Sequence, residues 1–163
     1  MNTATDFKLP LHSRVWIYQS SRFFTNDEVN TIQAATGEFL TQWNSHGNAL
    51  SAEINLLHNL FLIIAVDEAA AMASGCSIDK SVRLVKELET KLNVSLTGRT
   101  TIAYIDDAQK IQLKNFADFK KEIENGSVKN TTTIFNNLLS TLADLKSNWV
   151  IPANQSWLMD VRV

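Results

Sequence analysis

The chain has 163 residues, of which 45% are hydrophobic and 20% are charged, and its formal net charge is −2. This composition is typical of a globular protein and excludes a disordered chain. The small negative charge gives no long-range attraction to nucleic acid or to an anionic membrane, so neither is an expected partner. No repeat, low-complexity tract or linker divides the sequence, and we expect a single domain over residues 1–163.

Three features of the sequence bear on its location. The N-terminal segment MNTATDFKLPLHSR contains no apolar core of the kind that a secretory signal needs. The longest apolar run, Leu60–Val66, is far shorter than the ~20 residues of a membrane-spanning helix, so no membrane insertion is expected. The single cysteine cannot form an internal disulfide, and an oxidising compartment therefore has no support. We expect a cytoplasmic protein.

The first expected elements are a strand and a helix. Residues Arg14–Gln19 alternate between two apolar faces, which indicates a strand in a sheet that is covered on both sides. Thr25 and Glu28 then form a capping box, in which each residue bonds the backbone of the other. The helix that it starts is expected to reach Ser45, with Gly47 as its stop.

The segment Ala49–Val66 fits two patterns. Its apolar residues follow a helical stripe, but those of its first half also alternate with polar residues, and its second half is a continuous apolar run typical of a buried strand. We favour two strands that turn near His58 and Asn59. This turn lacks the glycine that is common in tight hairpins.

The second helix has the clearest pattern in the chain, because one face is apolar and the others carry charges. Ser74 or Ser77 can cap its N-terminus, Asp79 suits the positive end of its dipole, and Asn93 marks its end. The apolar face consists of Ile78, Val82, Val85, Leu88 and Leu92.

A hairpin and a short helix are expected next. Thr100–Ile105 and Lys110–Leu113 are typical of paired strands, and the residues between them are typical of a turn. A short helix over Ala117–Glu124 should end at Asn125 and Gly126.

The C-terminal part of the chain combines an apolar patch with a last helix. The patch lies at Thr133–Phe135, and the helix should run from Ser140 to Trp149, since Pro152 prevents its continuation. The segment that follows, to Leu158, carries too many large apolar residues to stay exposed. We expect it to pack on the body of the protein, and a homodimer contact is the alternative.

The order of the first elements predicts the fold class. Strand, helix, strand, strand, helix, strand is the order of the ferredoxin-like βαββαβ core, an antiparallel sheet with helices packed on it. The predicted fold is therefore α+β, with a hairpin strand and helices added at the C-terminal side.

The start of the second helix is the first candidate site. Backbone N–H groups are unpaired there and the helix dipole favours negative charge, so a phosphate or carboxylate could bind. The competing interpretation is that a serine simply caps the helix. The candidate ligand-binding residues are Ser74, Gly75, Cys76, Ser77, Lys80 and Arg83.

A thiol-dependent enzyme is the second candidate. A cysteine close to a helix N-terminus can be activated, with His58 as a base and Asp67 or Glu68 orienting that histidine. The competing interpretation is that Cys76 is an inert, buried residue.

Other classes of site find little support in the sequence. The spacing of His58, Asp67, Glu68 and Asp79 matches no metal-ligand signature, so no metal or other cofactor is expected. Neither GxxxxGK[ST] nor GxGxxG occurs, which excludes these nucleotide-binding loops. Base stacking on the strand face of Trp16 would suit RNA, but no RNA-recognition motif accompanies it.

Three stretches, RVWIYQSSR, AVDEAAAMASGCSIDKSVRLVKELE and NWVIPANQSWL, resemble a small bacterial family of uncharacterised proteins whose members are often labelled ABC transporter ATPase. The resemblance covers nearly the whole chain and implies no particular catalytic residue. The sequence has no Walker A loop, and Ala73–Ser77 matches the LSGGQ signature only in part.

The hypothesis that follows is a non-catalytic cytoplasmic binding or accessory protein with a small anionic or polar ligand at the start of the helix near Ser77. The alternative is a thiol-dependent enzyme with Cys76 as nucleophile. A third class, a structural partner in a dimer, predicts a broad apolar interface.

Overall fold

The computed structural model of the protein describes residues 6–160; residues 1–5, in the polar N-terminal segment, and residues 161–163 lie outside the described range. Two short 3-10 helices, Ala153–Gln155 and Trp157–Met159, follow the last strand. The α-helices are α1 (Asn26–Gln42), α2 (Gly75–Leu92), α3 (Phe116–Glu124) and α4 (Leu142–Asn148). The strands are β1 (Arg14–Gln19), β2 (Asn44–Ser45), β3 (Asn48–Ala49), β4 (Ser51–Leu57), β5 (Phe61–Asp67), β6 (Thr101–Ile105), β7 (Ile111–Asn115), β8 (Thr133–Phe135) and β9 (Val150–Pro152).

The first sheet is antiparallel and has the order β1-β5-β4. Its central strand, β5, is fully buried from Phe61 to Val66, as the continuous apolar run predicts. The two-strand interpretation of residues 49–66 is confirmed, and the turn uses His58 and Asn59 at φ 55° and 51° in place of a glycine. Asparagine tolerates this left-handed backbone better than most residues, which explains a tight turn without glycine.

The second sheet has the order β7-β6-β8-β9, and its neighbouring strands are also antiparallel. The two sheets share one apolar cluster, to which the first contributes Phe61 and Ile63 and the second Ala103 and Phe135. Helices α1 and α2 pack on the outer face of the first sheet, while α3 packs on the outer face of the second. The resulting layers are helix, sheet, sheet, helix.

The α+β class is confirmed, and the ferredoxin-like core is matched only in part. Strands β1, β5 and β4 pair in the order that such a core requires, and both helices lie on one face. The fourth strand of the pattern, β6, pairs instead with β7 and β8 in the second sheet. Both edges of β6 are thereby occupied, so it cannot complete the first sheet.

The helix boundaries follow the predicted caps closely. Thr25 and Glu28 form the capping box of α1, which ends at Gln42, before the expected Ser45. Gly47 turns the small β2–β3 hairpin at φ 83°. Of the two expected caps, Ser74 is the one that α2 uses, so the helix starts at Gly75.

The buried face of α2 differs from the predicted apolar stripe at its first two turns. Ser77 and Ser81 are buried there, whereas Ile78 and Val82 are only partly covered. Each serine hydroxyl donates to a carbonyl of its own helix, Ser77 to Ser74 at 2.9 Å and Ser81 to Ile78 at 2.7 Å. These bonds satisfy the hydroxyls, so two serines can face the core at small cost.

The C-terminal tail packs on the body of the protein, as expected. Trp149 and Leu158 are 3% and 0% exposed, respectively. Trp157 stacks on Phe116 with the ring planes 11° apart.

Candidate functional site

At the start of α2, Ser74 and Ser77 bond each other. The Ser77 N–H donates to the Ser74 hydroxyl oxygen at 3.2 Å, and the two hydroxyl oxygens are 3.0 Å apart. Gly75 and Cys76 are exposed, which excludes the interpretation of Cys76 as a buried residue. This is the geometry of a helix cap. Within residues 6–160 the N–H groups of Gly75 and Cys76, the first two of the helix, make no hydrogen bond.

Lys80 and Arg83 lie apart from the serine turn, on the wall of a groove between α1 and α2. The groove has a volume of about 450 Å³, and none of the residues from 74 to 77 lines it. Glu38 of α1 and Glu87 of α2 line the same groove, so both signs of charge are present there. The groove therefore shows no selectivity for an anion.

The structure does not bring Cys76 and His58 together. The Trp43 indole N–H donates to Ser77 O at 2.8 Å, and Trp43 lies at the end of the first sheet where Asp67 is found. His58 lies beyond the other end of β5, whose seven residues span about 20 Å. There it contacts aromatic rings, and its burial lowers the pKa of the imidazole.

The two acidic residues have partners that the sequence pattern does not reveal. Asp67 lies 2.9 Å from the His12 ring, and Glu68 lies 3.8 Å from the Arg14 guanidinium. The pKa of Asp67 is lowered by the bond from the Ala69 N–H and then by the bond with His12. The proposed base, His58, therefore contacts aromatic rings, whereas the proposed acids, Asp67 and Glu68, interact with His12 and Arg14.

A larger cavity, with a volume of about 530 Å³, lies between the two sheets and the loop that follows α2. This volume is in the range of small-ligand sites, and most of the wall is hydrophobic, which is also typical of such sites. The apolar part of the wall consists of Ile17, Val82, Leu96, Ile102, Phe116, Phe135, Leu138 and Trp157.

Arg99 is the only charged residue among the described residues that line this cavity. Its guanidinium makes no ion pair or hydrogen bond with any other part of residues 6–160. Tyr18 also lines the cavity, and burial raises the pKa of its hydroxyl, which therefore stays a neutral donor. An apolar wall with one unpaired cation suits a ligand that has an apolar body and an anionic group.

A chain of hydrogen bonds fixes the two amide side chains of the cavity wall. The Trp149 indole N–H donates to Asn137 Oδ1 at 3.0 Å, and Asn137 Nδ2 donates to Gln19 Oε1 at 2.9 Å. Gln19 Nε2 in turn donates to Thr101 O at 3.0 Å. This amide chain connects β1 to the second sheet and holds the wall in place.

Sequence patterns give little sign of this cavity, because its walls come from six separate parts of the chain. The sequence gives one sign of the cavity, the composition of the segment Leu96–Thr101, in which Arg99 lies among small and polar residues. Trp16 and Tyr18, the face considered for RNA stacking, pack beneath α1 and α2.

No family model, curated protein or solved structure matches the chain. Within residues 6–160, no helix has the length and apolar character needed to cross a membrane. In the same range, no group of three or more His, Cys, Asp and Glu residues is arranged to hold a metal ion.

Proposed function

We propose that this protein is a non-catalytic binding protein, and that its ligand has an apolar body and an anionic group. The ligand occupies the 530 Å³ cavity, with the apolar body against the hydrophobic wall and the anion at Arg99. The observation that carries this proposal is the position of the Arg99 guanidinium, which has no partner within residues 6–160, on a cavity wall where those residues supply no other charge.

The proposal keeps the anionic ligand expected from the sequence and moves its site. Ser74 and Ser77 bond each other at the start of α2, and neither of the two described cavities reaches this turn. An anion at Ser74–Ser77 stays a prediction. An enzyme based on Cys76 has no support from geometry, because His58 lies at the other end of the first sheet.

The test is binding of the fluorescent apolar anion 8-anilinonaphthalene-1-sulfonate to the native protein. We expect saturable binding at one site, and Arg99→Gln should weaken it about tenfold, since a charged hydrogen bond is worth about 1.5–3 kcal/mol. Arg83→Gln, which removes an exposed arginine from the groove beside α2, should leave the affinity unchanged. The absence of saturable binding, or an equal loss in the two variants, would refute the proposal.

Three other sequence expectations stay predictions. These are the cytoplasmic location, the resemblance to the bacterial family labelled ABC transporter ATPase, and the ferredoxin-like character of the βαββαβ core. The strand order β1-β5-β4, with both helices on one face, supports the last of these.

A further inference from the structure

Strand β1 is an edge strand, and only its first half is covered. The Val15 N–H donates to Ser140 O at 2.9 Å, and the Leu142 N–H donates to Ser13 O at 2.8 Å. These bonds form a short antiparallel ladder centred on Arg14 and Thr141. Beyond Val15 the next described backbone bond outside the first sheet joins the Ser21 N–H to Ser95 O at 2.9 Å, so the uncovered stretch of β1 runs from Ile17 to Gln19.

The backbone groups of Ile17 and Gln19 point toward the uncovered edge. In an antiparallel strand, successive residues direct their N–H and C=O groups to opposite sides. Val15 bonds away from β5, whereas Ser20 bonds toward it, because its N–H donates to Leu60 O at 2.8 Å. The alternation between these two residues places the groups of Ile17 and Gln19 on the side away from β5.

The chain that covers Val15 leaves the edge before it reaches Ile17. The Asn136 N–H donates to Trp149 O, and the Leu138 N–H donates to Asn136 Oδ1 at 3.3 Å. This segment thus turns toward β9, and the Leu138 side chain stays 54% exposed. The space between Ile17 and Leu138 belongs to the 530 Å³ cavity, which both residues line.

We propose that the ligand of this cavity is an extended peptide segment that adds a strand to β1. Its backbone pairs with the open N–H and C=O groups of Ile17 and Gln19, and its apolar side chains fill the hydrophobic wall. The only charged side chain that residues 6–160 place on that wall is cationic, so the segment carries a carboxylate at Arg99, either its own C-terminus or an acidic side chain. This inference rests on the proposed function, since both use the same cavity.

The experiment measures displacement of the bound sulfonate dye by an apolar peptide of about six residues with a free C-terminal carboxylate. In an extended peptide, alternate amides face β1 and the rest face away. Two isomers of the peptide, N-methylated on one or the other set of alternate amides, are therefore matched controls. We expect one isomer to bind at least about tenfold more weakly than the parent and the other to keep its affinity. Peptides with a C-terminal amide, with and without an acidic side chain, distinguish the two sources of the carboxylate.

A protein variant tests the same pairing from the other side. Ile17→Pro removes an N–H that the β1–β5 ladder does not use, and proline is tolerated on the open side of an edge strand. Peptide affinity should fall at least about tenfold. Ile17→Val, which shortens the same side chain of the cavity wall and keeps the N–H, is the matched control and should weaken peptide binding clearly less. If Ile17→Pro does not fold, the two methylated isomers still decide the question.

The outcomes separate the two proposals. Binding of the dye without displacement by the peptide, or equal affinity of both methylated isomers and the parent, would overturn the strand addition and leave the proposed function standing. No binding of dye or peptide would overturn both. A dimer that sedimentation detects and Ile17→Pro dissociates would show a second copy of the chain at this edge, which also overturns the peptide proposal.

Discussion

Glu28 connects three parts of the protein through one carboxylate. It accepts the Thr25 N–H at 2.9 Å, as the capping box predicts. It also accepts two bonds from Arg22, at 2.7 and 2.8 Å, and the same guanidinium donates to Leu92 O at 2.8 Å. A local cap thus becomes a link between the start of α1 and the end of α2. The Arg22 bonds and the Thr25 N–H lower the pKa of Glu28 to about 2.

This shift makes stability depend on pH in a defined window. A carboxyl group with a lowered pKa stabilises the folded state above its ordinary value of 4.5, and this contribution is lost as the pH falls toward 2. Glu28→Gln should therefore lower the urea midpoint at neutral pH and flatten its decline between those two values. Urea unfolding at a series of pH values checks the result. Glu38→Gln, an exposed change on the same helix, should keep the original slope; an unchanged slope in Glu28→Gln would contradict the assignment.

The sequence predicts the capping box because its two residues are three positions apart on one chain segment. It does not predict Arg22–Leu92 or His12–Asp67, since each pair joins residues more than fifty positions apart. Such contacts depend on which elements pack together, and residue spacing carries no information on that. For the same reason, the sequence does not show that Cys76 and His58 lie far apart in the fold.

At the scale of elements, Trp43 fixes the end of α1 against the beginning of α2. Its ring is 3% exposed, and its N–H reaches Ser77 O at 2.8 Å. The buried side chain beside this carbonyl is a serine, small enough for an indole to approach closely. The predicted stripe placed Ile78 and Val82 on the buried face, because hydrophobicity alone cannot show where a neighbouring tryptophan needs space.

Trp43→Phe tests this contact between the helices. The change removes a buried hydrogen bond and part of a buried ring, so we expect the free energy of unfolding to fall by about 1–3 kcal/mol. Trp157→Phe is the matched control, since the indole N–H of Trp157 is buried without a partner among residues 6–160. Trp157→Phe should therefore lower the free energy of unfolding clearly less than Trp43→Phe does. Chemical denaturation of the two variants gives the comparison, and equal losses would show that the Ser77 bond contributes nothing.

Individual strands and helices follow well from the sequence, but their division into two sheets does not. The β6–β7 hairpin forms through a turn of few residues, as predicted, and Asp106 Oδ1 accepts the Lys110 N–H within that turn. Which further strand joins β6 depends on contacts with β8, about thirty residues later in the chain. The ferredoxin-like order therefore predicts the three strands of the first sheet correctly, but it wrongly assigns β6 to the same sheet.

At the scale of the whole molecule, the two sheets share one apolar cluster and should unfold together. Ile63 lies in this cluster and is 0% exposed. Neither sheet can lose the other without exposing its own inner face to water. The layered arrangement therefore predicts cooperative unfolding of the described chain.

Ile63→Ala should lower the free energy of unfolding by about 2–5 kcal/mol, because it leaves a cavity between the sheets. Tryptophan fluorescence and far-UV circular dichroism should report the same midpoint in the original protein and in the variant. Ile111→Ala, at a partly buried position on the outer strand β7, should cost less. Two separate transitions in either protein would contradict a shared core.

The amide chain from Trp149 to Thr101 also has a fixed polarity. An indole nitrogen can only donate and a carbonyl oxygen can only accept, so the two ends dictate how Asn137 and Gln19 are oriented between them. Neither amide can rotate by half a turn without setting like atoms against each other at both of its contacts. A carboxylate of the same shape at position 137 would face the Gln19 oxygen and force that side chain to reverse against the Thr101 carbonyl. One wall of the cavity is thus held in a single orientation by an indole N–H and a backbone carbonyl that have no second role to exchange.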